Sequence, residues 1–209
     1  MPELTAKRLY DLLFASLGLL LLSPLLVVIA VAVKLSDGGP VCFKQQRVGR
    51  HGRQFWIWKF RTMVVNADKL GISITKGGDS RITPAGRILR RTKLDELPQL
   101  WNVLRGDMSF VGPRPEVPRF VEHYTPVQRE ILKLKPGITD LATLEFRNEE
   151  ELLRTASDVE KFYIEHCIPR KIELNLLYAR RAGICQDTWI SLQTLLPWIH
   201  KWNLKKRNQ

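Results

Sequence analysis

LLFASLGLLLLSPLLVVIAVAV, Leu12 to Val33, carries no charged residue and is long enough to cross a bilayer. Pro24, next to Ser23, stands near its centre. A proline inside a helix removes one N–H and crowds the preceding turn. A neighbouring serine hydroxyl can satisfy the carbonyl that is freed. Three readings compete. A cleaved signal peptide would use Lys7 and Arg8 as its basic end, but the apolar run is too long and no small-x-small cleavage site follows. A straight transmembrane helix fits the length. A hairpin that enters one leaflet and leaves by the same face fits the charges: Lys7 and Arg8 on one flank, and Lys34, Lys44, Arg47, Arg50, Arg53, Lys59 and Arg61 against Asp37 on the other. Both flanks favour the cytoplasmic side. Leu12–Ser23 and Pro24–Val33 would each be roughly 15–18 Å long at about 1.5 Å per residue, about half of a hydrocarbon core of roughly 30 Å. The residues by themselves leave the straight span and the hairpin open.

The 209 residues suffice for one domain and an anchor, with a formal net charge of +12. Such a charge calls for a polyanionic partner: nucleic acid, an anionic membrane or a phosphorylated substrate. Cys42, Cys167 and Cys185 lack CxxC spacing, which excludes a disulfide framework and a zinc site. His51, His123, His166 and His200 have no metal spacing. The chain shows no repeat, no Walker loop and no GxGxxG.

Beyond the apolar run, Pro40–Lys44 and Gln54–Phe60 read as strands joined by a turn at Gly49–Gly52. Thr62–Leu70 reads as a short helix, Gly71–Thr83 as a loop, and Pro84–Thr92 as a helix capped by Thr83. Glu96–Leu104, Ser157–Arg181 (interrupted near Pro169) and Gln186–Trp202 read as further helices. Trp189, Trp198 and Trp202 on the last one suit either a bilayer interface or a core. The expected class is α+β, mostly helical: a re-entrant helix-break-helix over 1–36, a catalytic body with a small β-hairpin over 37–185, and an amphipathic helix with a basic tail over 186–209.

Chemistry concentrates in Leu94-Asp95-Glu96-Leu97-Pro98-Gln99. Asp95 reads as an N-cap and Pro98 as a first-turn residue, which puts both acids at a helix N-terminus. An ionised carboxylate there can attack phosphorus or hold Mg²⁺ against a substrate phosphate. The plainer reading is a cap and a solvated acid. Arg87, Arg90, Arg91 and Lys93 before the pair, and Arg114 between prolines after it, supply the cations that phosphate oxygens need. Lys59 could reach a phosphate from a strand end, or simply decorate a basic edge.

These blocks together resemble the monotopic phosphoglycosyl transferases, a family of bacterial sugar transferases. The resemblance rests on Lys7-Arg8-x-x-Asp11, Ser23-Pro24, Gln46-Arg47-x-Gly49, Lys59-Phe60-Arg61-Thr62-Met63, Leu94–Gln99, Asn102–Pro115 and Lys135-Pro136-Gly137-Ile138-Thr139. It implies transfer of a sugar 1-phosphate from a nucleoside diphosphate sugar to polyprenyl phosphate, at the cytoplasmic face of the bacterial inner membrane. It also implies Asp95 as nucleophile, Glu96 as its assistant, Mg²⁺ at Asp95, and Lys59, Arg90, Arg114 and Arg147 as substrate contacts. Ser23 and Pro24 would form the membrane break. A phospholipid membrane is the implied partner, a homodimer is left open, and the expected form is a minimal catalytic unit without the larger members' extra N-terminal helices. The sequence departs from the family at Asp140-Leu141, where a glycine and an aromatic residue are common. Two rivals remain, a membrane-anchored nucleic-acid binder and a non-catalytic scaffold. The basic residues form no tract and gather around Asp95, Glu96 and Arg114, so no nucleic acid is expected.

Overall fold

The computed structural model describes residues 5–67, 75 and 78–196. Helix α1 (Ala6–Asp37) opens at Thr5, whose side chain accepts from the Arg8 N–H, and closes at Gly38 with φ 72°, a left-handed conformation that costs glycine little. The helix contains Pro24 without a change of element, so the expected Leu12–Ser23 and Pro24–Val33 are one hydrogen-bonded element. The Leu20 carbonyl, which an N–H at position 24 would have engaged, accepts instead from Ser23 Oγ at 2.8 Å.

The two halves of α1 pack on different parts of one body. Ala15 and Leu19 meet Leu100, Val103 and Met108. Leu26, Ile29 and Val33 meet Phe60, Leu89, Leu94 and Leu97. Each apolar side chain buried this way contributes about 1.5–3 kcal/mol. Leu13, Leu20, Leu21, Val27 and Val28 remain exposed on the other side.

The first turns of α1 are fastened by polar groups. Arg8 donates to the Val103 and Leu104 carbonyls at 2.5 and 2.7 Å, a cation on the C-terminal end of a helix. Lys7 reaches the Val111 carbonyl, Tyr178 and Asp187. Buried Asp11 accepts from Ser109 Oγ and the Phe110 N–H. Lys7 and Arg8 are therefore internal ties. They were expected as the basic flank of the apolar run, and charge patterning could not reveal their partners, 95 to 180 residues away.

Strands β1 (Cys42–Val48) and β2 (Gln54–Phe60) form the expected antiparallel hairpin, with Cys42 opposite Phe60 and Val48 opposite Gln54; the first strand starts at Cys42 and runs to Val48, not over Pro40–Lys44. A 3₁₀ turn at Arg50–Gly52 joins them. Residues 62–66 are not helical, and Met63 bridges Ile82 instead. Residues 68–70 of that expected helix, and residues 71–74, 76 and 77 of the expected loop, lie outside the described residues. Helix α2 (Pro84–Thr92) begins as expected, with Thr83 Oγ1 accepting from the Gly86 N–H at 3.0 Å.

Helix α3 (Gln99–Arg105) leads to β3 (Ser109–Val111), which pairs in parallel with β4 (Gly137–Thr139). Three residues per strand are too few for a visible period. The backbones cross so closely that a Cβ on Gly137 would lie 2.2 Å from the Gly112 nitrogen. The chain continues through α4 (Pro118–Glu122), α5 (Leu141–Glu145), α6 (Glu149–Arg154) and α7 (Val159–Phe162). A π-turn at Tyr163–Cys167 runs into α8 (Ile168–Ala179) with helical backbone at Cys167 and Ile168, so the expected interruption near Pro169 is a local π-turn and not a break in the helix. Phe120, Tyr124, Ile131, Leu153, Tyr163, Ile168 and Ile172 form the core on this side. Helix α9 (Ile184–Leu195) carries Trp189, half exposed. Trp198, Trp202 and the basic tail lie outside the described residues. The fold is α+β and mostly helical, with one long apolar helix.

Candidate active site

The Leu-Asp-Glu-Leu stretch is built from both ends. Lys93 ends α2 with φ 60°, a left-handed conformation that costs a non-glycine residue about 1–2 kcal/mol. A 3₁₀ turn follows at Leu94–Glu96, and Pro98 stands at the N-cap position of α3. Asp95 therefore does not cap α3. Pro98 lies at the N-cap, so the α-helical ladder starts at Gln99, three residues later than the sequence suggested. Leu94 and Leu97, three apart, pack toward Ile29 and Val33 of α1. The two acids between them are only 8% and 9% exposed.

Lys59 on β2 donates to Glu96 Oε1 at 3.0 Å. Arg114, just after β3, places a two-pronged contact on the same carboxylate, Nη2 to Oε1 at 2.6 Å and Nη1 to Oε2 at 3.2 Å. Such a fork is the strong form of this ion pair. Burial opposes ionisation of Glu96. Arg114 and Lys59 more than offset it and hold the carboxyl well below its usual range. Burial also pushes the Lys59 ammonium down to about 8, with Glu96 pulling the other way. Glu96 raises Arg114 further above its usual range. Burial raises Asp95, against the pull of Lys59. Asp95 Oδ1 is buried and has no hydrogen-bond partner.

Glu96, Lys59 and Arg114 line a cavity of about 1310 Å³. Among the described residues its wall carries thirteen Lys or Arg side chains against six Asp or Glu, the sign that a polyphosphate needs. Asp95 lies just off this wall. Arg90 and Arg147 line it too but are not joined to the Glu96 cluster. Arg90 is held by Glu150 at 2.7 Å, and Arg147 reaches the Thr194 carbonyl at 3.4 Å.

Further polar groups complete the wall. Tyr163 donates to Glu116 at 2.5 Å, Lys171 donates to the Tyr163 oxygen at 3.1 Å and pairs with Glu149, and Arg47 donates to the Pro115 carbonyl at 3.0 Å. Sequence reasoning missed Glu116, Tyr163, Lys171 and Glu149, which sit in ordinary helical or loop patterns. Arg47 stood in a motif without a role.

Comparison with known proteins places the chain in a family. A family model described as bacterial sugar transferase matches residues 2–201. A UDP-glucose:undecaprenyl-phosphate glucose-1-phosphate transferase of Klebsiella pneumoniae is 43% identical over 206 residues, covering 96% of this chain and 40% of that protein. A UDP-N-acetylgalactosamine-undecaprenyl-phosphate N-acetylgalactosaminephosphotransferase of Aeromonas hydrophila is 47% identical over 195 residues, covering 90% of this chain and 42% of the other. The exopolysaccharide production protein ExoY of Rhizobium meliloti is 40% identical over 159 residues, covering 69% of this chain and 70% of ExoY. The chain thus spans about two fifths of the length of the first two relatives. With the model matched along nearly its whole length, the chain belongs to the bacterial sugar transferase family.

Proposed function

We propose that the chain transfers a sugar 1-phosphate from a nucleoside diphosphate sugar to polyprenyl phosphate at the cytoplasmic face of the bacterial inner membrane. The names of the relatives point to a uridine donor and undecaprenyl phosphate. The observation that carries the reading is the buried Asp95–Glu96 turn beside a cationic cavity, with Lys59 and Arg114 both on Glu96.

The Asp95 carboxylate rotates toward the cavity and attacks the phosphorus that bears the sugar. The bond from that phosphorus to the bridging oxygen breaks, and nucleoside monophosphate leaves. Sugar 1-phosphate is now an acyl phosphate on Asp95. An oxygen of the polyprenyl phosphate attacks the same phosphorus, the bond to Asp95 breaks, and the carboxylate is restored. Glu96, held ionised by two cations, is too weak a base to remove a proton efficiently near neutral pH. Its role is to orient Lys59 and Arg114 toward the phosphates. Arg90 exchanges Glu150 for a phosphate oxygen, and Arg147 contacts the nucleotide.

Mg²⁺ belongs to this proposal. Asp95 Oδ1 is a buried oxygen without a partner, suited to a hard cation. Among the described residues no three His, Cys, Asp or Glu side chains converge, so Asp95 would hold the ion together with substrate phosphates. When bound, the ion supplies charge neutralisation at the transferring phosphate.

The membrane arrangement proposed is re-entrant, with Ser23 and Pro24 at the bend. Both ends of α1 are tied to the same body, through Lys7, Arg8 and Asp11 at one end and through Asp37 to Arg61 at the other. This supports entry and exit on one side. The test of function is a panel of UDP-sugars with undecaprenyl phosphate and purified protein, reading UMP release. Asp95→Asn loses both UMP release and lipid product while staying in the membrane fraction. Near-normal UMP release by that variant would sink the covalent role.

A further inference from the structure

Arg114 lies between Pro113 and Pro115, neither of which has an N–H. The Arg114 amide is the one backbone donor of this tripeptide, and Asp140 Oδ2 accepts it at 3.1 Å. Asp140 is 1% exposed. The same Oδ2 accepts from Asn175 Nδ2 at 2.7 Å, and Oδ1 caps α5 through the Thr143 N–H at 2.5 Å. All three donors are neutral. A carboxylate buried on neutral donors is costly, and an asparagine or serine would cap α5 without that cost. The carboxylate does what those residues would not: it satisfies three donors at once and stands near the Arg114 guanidinium.

The rest of the loop is fixed residue by residue. The Pro113 carbonyl accepts from the Gly137 N–H at 3.0 Å, the Pro115 carbonyl from Arg47 at 3.0 Å, and the Glu116 carbonyl from the Val48 N–H at 2.9 Å. Asp140 is the group that fixes Arg114 itself.

We propose that Asp140 is a positioning residue for the transfer reaction, holding the Arg114 backbone so that its guanidinium fork stays on Glu96 at the cavity wall. The inference rests on the transferase reading above. Asp140→Asn keeps the size but replaces one accepting oxygen with an amide group. Transfer falls roughly 10²-fold in kcat, the scale of a misplaced contact, with a smaller change in donor KM. Hydrogen exchange at the Arg114 amide accelerates in the same variant. In an Arg114→Ala background, single-turnover transfer loses nothing further on adding Asp140→Asn. A merely structural role would instead give independent, multiplying losses, and that result overturns the proposal. So does unchanged Arg114 amide exchange in Asp140→Asn. If Asp140→Asn fails to fold, Asn175→Ala frees the same oxygen on one side and gives the same pattern at smaller amplitude; multiplying losses there overturn the proposal equally. A wild-type protein inert with every donor overturns the transferase reading, whereas the amide-exchange measurement needs no activity and reports on Asp140 alone.

Discussion

Lys59 is a buried ammonium whose worth depends on its proton. Burial lowers it from 10.5 to about 8 while Glu96 holds it charged. Below about pH 8 the folded protein keeps the charge; above it the charge is lost while the unfolded chain still carries it up to about 10.5. Over that window the unfolded state binds more protons, so this group's contribution to stability rises with pH. Its contribution to phosphate binding falls over the same window. The transfer rate should therefore decline with a midpoint near pH 8, and Lys59→Arg should move that limb upward by at least about one unit. A pH–rate profile of both proteins checks it; identical alkaline limbs would remove Lys59 from the site. Lys59 could be suspected in the sequence as a cation at a strand end. Its partner could not, because Glu96 lies in a turn nearly forty positions away, and only packing brings the two together.

At the scale of elements, the site depends on how α3 is locked to the hairpin. Asn102 is fully buried; it donates to the Trp56 carbonyl at 2.8 Å and accepts from the Trp58 N–H at 3.1 Å. Asn102→Ala leaves both strand groups unsatisfied and should destabilise the protein by about 2–3 kcal/mol, read by denaturant unfolding in detergent. A change below about 0.5 kcal/mol would mean that water replaces the amide. The capped α2, the hairpin and the long apolar α1 were all readable, because each has a local signature: Thr83-Pro84, a turn between strand-like runs, an uncharged stretch. The parallel pair β3–β4 and the 3₁₀ turn at Asp95 were not. Three-residue strands have no measurable period, and the 3₁₀ turn goes with Leu94 and Leu97 seating on α1, a long-range contact.

For the whole molecule, the arrangement of α1 sets the topology. In a background with Cys42→Ser and Cys185→Ser, Ala6→Cys and Arg53→Cys should both resist a membrane-impermeant thiol reagent applied from the periplasmic side. Labelling of Ala6→Cys alone would establish a straight span. Chelation supplies a second test at this scale: excess EDTA should stop transfer and added Mg²⁺ should restore it, whereas full turnover in EDTA would remove the metal from the scheme. The excess of cations fits the same picture, since much of it faces one cavity and is not spread along a tract.

The sequence by itself determined the class of the fold, the long apolar helix, the hairpin and the acidic pair with its cationic setting, because those are properties of neighbours along the chain. Tertiary structure decided which cations serve that pair. Glu96 takes Lys59 and Arg114, Arg90 goes to Glu150, and Lys7 and Arg8 are drawn inside to fasten α1. A buried charge must find an opposite charge or hydrogen-bonding groups within a few ångströms, and where those partners lie is a matter of packing across tens to hundreds of residues.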